Sequence, residues 1–417
     1  MAQTASRPLR ILLATVGSRG DVQPMLGLAQ ALAARGHVPV LAAPENFEGW
    51  VRSQRVEFAP LGSDVQAFLN ANTNVLSGNV FNGLRTIRQY FANEIPLWAG
   101  QAVDAARGAD AILWSGLCVV APSVAEQLGL PAVAVLYSSC LIPSAMHPPP
   151  IVTRQGLPRW LNRLLWKMNR PMAQWLMGQS VNLARAAMGL PSVMLDEHIW
   201  NGGGRFVLAL DEPLFPPDPE WVAGRFPYAN YIFFDDPLPL DAELQAWLAD
   251  GEPPVFVGFG SMSGQGLDKA GKIIVEGVSA TGRRSIVGAG WAGLGGGRLP
   301  AGWRVVREAP HALLFPRMAA VVHHGGAGTT AQALRAGVPQ VILPLFMDQY
   351  YHAHRLHLAN LAPRPVPMER ITAQGLADAI NAALALPKGP RDAVAQRLHA
   401  SDGRGAVVDR IEAMCAA

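Results

Sequence analysis

Short apolar runs of β character alternate with helical stretches twice along this chain, once on each side of a segment dense in proline and aspartate. The first series holds Ile11 to Val16, a helical stretch from Val22 to Ala34, Val38 to Ala43, Ala111 to Trp114 and Ala132 to Leu136. From Pro213 to Pro239 the periodicity collapses, as in Pro216-Pro217-Asp218-Pro219 and Asp235-Asp236-Pro237, which marks a linker. The alternation then restarts with Val255 to Phe259, Ser285 to Val287, Val305 to Val306, Ala319 to Val322 and Val341 to Leu343. Strands that alternate with helices build parallel sheets covered on both faces. The pattern predicts two Rossmann-like α/β domains, residues 1–212 and 240–400, joined by a linker over 213–239. Residues 401–417 read as a helix that packs back on the first domain. Two such halves leave a cleft between the carboxyl ends of their sheets, where open α/β sheets bind ligands.

Length and charge agree with that reading. The 417 residues exceed what one compact core accommodates. Half are hydrophobic and 16% are charged, so both halves can bury enough apolar surface to offset chain entropy. The net charge of +3 is small, and no continuous basic stripe points to nucleic acid. Three cysteines, Cys118, Cys140 and Cys415, are far apart and show neither metal-ligand spacing nor a disulfide framework, which fits a reducing compartment. The opening apolar run is too short for a signal-peptide core, and no run reaches the ~20 residues needed to span a bilayer. A cytoplasmic protein is expected, with peripheral membrane contact left open.

The second half carries the more specific motif. The strand-like Ala319 to Val322 feeds into His323-His324-Gly325-Gly326-Ala327-Gly328-Thr329-Thr330, ahead of a helical run from Ala331 to Ala336. A strand, a glycine-rich turn and a helix start form an anion site, because glycines let the backbone approach phosphate while unpaired N–H groups and the helix dipole face it. These residues resemble the donor-binding signature of glycosyltransferase family 1, above all its sterol glucosyltransferases and glycopeptide-antibiotic glycosyltransferases. The resemblance implies a GT-B fold and a nucleotide diphosphate sugar as co-substrate, with neither cofactor nor metal. By alignment it places His323 on the diphosphate, beside Gly325, Gly326, Gly328 and Thr329, and leaves His324 structural. It assigns Asp348 and Gln349, in Pro344-Leu345-Phe346-Met347-Asp348-Gln349, to hydrogen bonds with the sugar hydroxyls. Taken alone, such a pair is more often a helix N-cap. The same resemblance puts Ser261 near the diphosphate and Trp291 and His311 near the base and ribose. The sequence departs from the plant signature at Ala327 and Gly328, where polar side chains often touch phosphate.

In the first half, Ile11 to Val16 runs into Gly17-Ser18-Arg19-Gly20-Asp21-Val22-Gln23-Pro24. Asp21 stands at a helix start, where the related pattern in many family members carries a catalytic histidine. The resemblance makes Asp21 the general base that takes the acceptor proton, whereas an aspartate in that place can also simply cap the helix. Ser18 and Arg19 belong to the same acceptor-side loop, with Arg19 expected to pair with Asp21, a substrate anion or solvent. Pro24 is expected in the first turn, where a missing N–H costs nothing.

Between Gln127 and Leu195 there is no acidic residue, while Arg154, Arg159, Arg163, Lys167, Arg170 and Arg185 occur with Trp160, Trp166 and Trp175. Leu161, Leu164, Leu165 and Met168 share one helical face, and this face is expected to cover a core. Interfacial membrane contact or a wall of an apolar acceptor tunnel is the alternative. The combined expectation is an inverting, metal-independent transferase that moves a hexose, from UDP-glucose first and a dTDP-sugar second, to a hydroxyl of a sterol, lipid or natural product. A monomer or homodimer suits it. A nucleotide-sugar 2-epimerase and a non-catalytic nucleotide-sugar or lipid-binding protein are the competing readings.

Overall fold

The computed structural model describes residues 7–65, 67–68, 80–200, 205–236, 238–260, 267–288, 299–306 and 309–416. Ser261 and Trp291 lie outside them.

The first sheet is built from β1 (Arg10–Val16), β2 (Val38–Ala43), β3 (Glu57–Pro60), β4 (Ala111–Gly116), β5 (Ala132–Leu136) and β6 (Arg205–Leu208). Its order is β3-β2-β1-β4-β5-β6, with every pair parallel. Ile11 to Val16 are all buried, so β1 reads as an apolar run broken only by Thr15 in place of an alternation, as a strand covered on both faces does. One face packs on α1 (Arg19–Ala34), through Val22, Met25, Leu28, Ala29 and Leu32. The other packs on α2 (Val80–Ala105) and α3 (Ala121–Leu128), where Trp98 and Val124 are wholly buried. The C-terminal helix α11 (Gly403–Ala416) lies against α1, adding Val407, Val408 and Ile411 to the first face, and Glu412 accepts from Arg35 at 3.0 Å and meets His37 Nε2 at 2.8 Å.

The second sheet holds β7 (Val255–Gly258), β8 (Ser285–Gly288), β9 (Trp303–Val306), β10 (Ala320–His323) and β11 (Gln340–Ile342) in the order β11-β10-β7-β8-β9, again all parallel. Helices α6 (Leu267–Ser279) and α9 (Ala373–Ala385) cover one face, with Ile274, Val278, Leu376 and Ile380 against Val255, Val257 and Val322. Helices α7 (Ala327–Arg335), α8 (Gln349–Leu358) and α10 (Lys388–Ala400) meet the segment that joins the halves. There Asp211, wholly buried, accepts two bonds from Arg397 at 2.7 and 2.6 Å, and Arg355 donates to the Leu214 carbonyl. Across the halves, the Ser139 and Tyr351 hydroxyls are 2.9 Å apart.

Two sequence expectations change. Helix α1 starts at Arg19, so Pro24 sits in its second turn and removes a bond that the Gly20 carbonyl would otherwise accept. Helix α4 (Arg159–Ala173) does not cover the core with its leucine and methionine face. Its buried side chains are Asn162 and Trp166, whereas Leu164 and Met168 are exposed. Asn162 donates to the Ala145 carbonyl at 2.9 Å and Trp166 Nε1 to the His147 carbonyl at 3.0 Å, so hydrogen bonds to the preceding loop set the helix's rotation. Helix α5 (Gln179–Ala187) then places Arg185, also wholly buried, on Glu126 and Ser123.

Candidate active site

In each sheet, neighbouring strands at one point run off in opposite directions of sequence, between β1 and β4 in the first and between β7 and β10 in the second. The crevice beyond such a point is the usual ligand site of an open parallel sheet.

At the first crevice Ser18 caps α1. Its hydroxyl accepts from Gly20 N, and its own backbone N–H donates to Asp21 Oδ2 at 2.8 Å, completing a capping box. Asp21 is therefore the third helical residue and not the cap itself. Its carboxyl lies between two glycines at strand tips. A Cβ on Gly17 would come within 2.2 Å of Oδ2, and one on Gly116, whose φ is +62°, within 3.1 Å of Oδ1. Glycine at both positions is what admits the carboxyl. Beneath it Ser115 Oγ donates to Thr15 Oγ1 at 3.0 Å, with both groups wholly buried.

Burial raises the Asp21 pKa to about 6, against the Ser18 hydrogen bonds that pull it down, and the charge of Asp348 from the opposite half adds to the rise. Burial pushes the hydroxyl of Tyr137, just past β5, far above its ordinary range, and the Asp21 charge adds to the rise. Arg19 does not pair with Asp21. Its guanidinium lies 4.6 Å from the centre of the Trp50 ring, and its charge is felt by His311 of the second half.

At the second crevice the two adjacent histidines have separate surroundings. His323 ends β10 with no exposed surface; its Nδ1 accepts from Gly325 N at 3.1 Å and its Nε2 donates to Gln340 Oε1 at 2.9 Å. Both ring nitrogens are occupied, so the expected contact of His323 with a diphosphate has no ring atom left to make it. His324 is partly exposed, and its buried Nδ1 has no hydrogen-bond partner among the described residues. It stands over the turn: a Cβ on Gly260, just past β7, would lie 3.5 Å from its Cε1, and one on Gly326 would lie 2.5 Å from its Nε2. Burial lowers both imidazoles, His323 to about 3 and His324 to about 4.

Gly325 has φ +96°, and a Cβ there would lie 2.8 Å from Ile342 Cγ2, so a side chain is excluded on two grounds. Its carbonyl accepts from His352 Nδ1 at 2.9 Å, which fixes the turn from below. Gly326 then occupies the N-cap of α7 and has no side chain to cap it. The first-turn N–H groups of Ala327, Gly328 and Thr329 thus have no side-chain acceptor among the described residues, and the exposed Gly328 leaves open space above them.

Asp348 takes the N-cap position of α8, yet its carboxylate makes no capping bond and stays partly exposed. The residue before it, Met347, has φ +55°, a strained conformation for a non-glycine residue that turns the chain at the crevice. Gln349 spends its amide oxygen inside the protein. It is buried, and its Oε1 accepts from Leu345 N at 2.8 Å and Phe346 N at 3.3 Å, bracing the loop and leaving that oxygen unavailable to a sugar. His311 stacks on Phe315 with ring centres 4.3 Å apart, and burial lowers it to about 4.

Sequence reasoning missed Gly116, Thr15, Ser115, Tyr137 and His352. The first four stand at the ends of β1, β4 and β5, so the rule that strand ends carry sites could have found them once the strand order was known.

Two doubly wound parallel sheets with both crevices turned to one cleft define a protein of GT-B type. The glycosyltransferase family 28 N-terminal domain matches residues 11–146, and the erythromycin biosynthesis protein CIII-like C-terminal domain matches residues 292–404. The glycosyltransferase GtfC of Amycolatopsis orientalis is 34% identical over 391 residues, covering 92% of this chain and 91% of that protein. The vancomycin aglycone glucosyltransferase of the same organism is 34% identical over 361 residues, 84% of each chain. The sterol 3-beta-glucosyltransferase UGT80B1 of Arabidopsis thaliana is 30% identical over 425 residues, 96% of this chain and 67% of that one. Among solved structures, the calicheamicin glycosyltransferase CalG4 superposes with a TM-score of 0.73 over 98% of both chains at 18% identity. The chain belongs to the GT-B glycosyltransferase family of the glycopeptide-antibiotic and sterol glucosyltransferases, and it is a glycosyltransferase.

Proposed function

We propose that the enzyme transfers a hexose, with inversion and without a metal, from UDP-glucose, or second from a dTDP-sugar, to a hydroxyl of a hydrophobic acceptor such as a sterol, lipid or natural product. The observation that carries this reading is the Asp21 carboxyl, held at the first crevice with a pKa of about 6 and within the field of Asp348 across the cleft. A carboxylate so placed is basic enough to accept a proton and still ionised at neutral pH.

In this mechanism Asp21 takes the proton of the acceptor hydroxyl as that oxygen bonds to the anomeric carbon. The bond from that carbon to the phosphate oxygen breaks on the opposite face, and its electron pair leaves with the nucleoside diphosphate. Holding both reactants in one cleft makes the step effectively unimolecular. The growing charge on the diphosphate falls on the N–H groups of Ala327, Gly328 and Thr329, with His324 in place of His323 as the imidazole donor. Asp348 accepts hydrogen bonds from sugar hydroxyls, and Asp21 returns its proton to water after product leaves. The glucosyl and sterol names of the relatives support the choice of sugar and of an apolar acceptor.

The test is incubation with UDP-glucose or dTDP-glucose and a panel of sterols, lipid alcohols and polyketide aglycones, followed by nucleotide release and product mass. Release that depends on acceptor, with product of inverted anomeric configuration and no loss of rate in chelator, is expected. Formation of an epimerised sugar nucleotide without acceptor would overturn the reading.

The two histidines separate in the same assay. His324→Ala is expected to raise the donor KM by about ten- to a hundredfold through one lost hydrogen bond to a charged group, with the melting temperature nearly unchanged. His323→Ala is expected to cost about 2–4 kcal/mol of stability, because it leaves a cavity and strands Gln340. Equal effects of the two substitutions on KM and on melting would show that His323 also reaches the donor.

A further inference from the structure

From the rotation of α4 and the charge beside it, we infer that this helix is a docking surface for an anionic lipid bilayer. Asn162 and Trp166 fasten one side of α4 to the loop beneath it, so the opposite side carries Trp160, Leu164 and Met168, one turn apart, at 64%, 45% and 62% exposure. Trp175, just beyond the helix, is exposed as well, and Met146 joins the stripe through the contact of its sulfur with Arg159 Nη2 at 3.1 Å. An apolar stripe that ends in tryptophan and faces solvent is the reverse of what a core-covering helix shows.

Arg159, Arg163, Lys167 and Arg170 all fall on one flank of that stripe, given 3.6 residues per turn. Arg163 pairs with Glu220, and Arg170 with Asp196 at 2.9 Å. Among the described residues, no acidic partner meets Arg159 or Lys167, and the chain from Leu128 to Met194 contains no acidic residue at all. The surface therefore presents apolar side chains at the depth of a headgroup layer, with cationic groups beside them placed to meet lipid phosphates. A second copy of the chain fits it less well, because a twofold contact through this stripe would bring the same uncompensated cations together.

The stripe is also tied to the cleft. The loop that holds α4 places the His147 ring 5.0 Å from the Tyr351 ring on α8, two residues past Gln349, and places Gly156 beside His354. A bilayer seated on α4 would lie next to the acceptor half of the enzyme. The link to an apolar acceptor rests on the proposed function, while lipid binding itself does not.

Flotation of the full-length protein with vesicles tests this without any transfer assay. Phosphatidylcholine alone is compared with an equal mixture of phosphatidylcholine and phosphatidylserine. Binding to the mixed vesicles is expected, falling with added salt, together with a blue shift of tryptophan emission. The double substitution Trp160→Ser and Met168→Ser changes only exposed side chains and should weaken vesicle binding at least tenfold with unchanged melting temperature. Lys167→Glu should weaken it about fivefold or more, as loss of a surface cation does. Absence of binding to the mixed vesicles, or equal binding by the variants, would overturn the inference. So would lipid-free dimerisation that the double substitution abolishes, which would assign the stripe to a second copy. A drop in kcat for a water-soluble acceptor would assign it to the acceptor pocket instead.

Discussion

Asp21→Asn is expected to lower kcat/KM for sugar transfer by about 10²–10⁴-fold, the usual worth of a general base. The substitution isolates the base from the structural role, because an asparagine oxygen at the third helical position can still accept from Ser18 N. The folded protein raises this carboxyl from 3.8 to about 6, so its ionised form is disfavoured, and stability falls as pH rises through that window. At pH 7.5 the neutral asparagine avoids that cost, and the variant should melt no lower than the parent and be more stable by roughly 1–3 kcal/mol. The parent's kcat/KM should begin to fall as pH drops through about 6, read over the range in which circular dichroism shows the protein still folded. Full activity in the asparagine variant, or an acid limb below pH 5, would remove Asp21 from the role of base.

Acid should unfold the protein between about pH 6 and pH 4. Burial lowers His147, His198, His311 and His324 to about 4, and His323 to about 3. In the unfolded chain each would take a proton near pH 6.5, while the folded protein must keep it neutral. Stability contributed this way is complete above pH 6.5 and is lost as pH falls through the folded values. The four groups near 4 each account for up to about 3 kcal/mol and His323 for up to about 5 kcal/mol, and even half of their sum is comparable with the whole stability of a typical domain, about 5–15 kcal/mol. Chemical denaturation followed by circular dichroism at pH 7.5, 6 and 5 measures this. A midpoint unchanged across that range would mean that these imidazoles are hydrated in the folded protein. His198→Gln should flatten the slope, because it replaces the imidazole whose Nε2 lies 2.9 Å from the Ser123 hydroxyl with a group that does not titrate.

The local sequence carried the architecture. Short, largely apolar runs such as Ile11 to Val16 and Ala319 to Val322, each bounded by a glycine turn and a helical stretch, read as strands buried on both faces, and the helices between them lead to parallel pairing. It also carried the two turns on which the site is built, since Gly17, Gly325 and Gly326 admit backbone that other residues would strain or block. Only the tertiary structure decided which side chain in each turn is free to act. His323 and His324 are adjacent and chemically identical, and they differ because Gln340, seventeen residues on, occupies one while no described residue occupies Nδ1 of the other. Gln349 was legible as a hydrogen-bonding residue, but the Leu345 and Phe346 amides had to be placed before its oxygen could be seen as spent. In α4 the helical period was plain while its rotation was not, because two hydrogen bonds to the Ala145 and His147 carbonyls outweighed the apolar face. Periodicity and turn chemistry are set within a few residues and can be read along the chain. The use of a polar atom depends on which distant group meets it, and that is settled only when the elements pack.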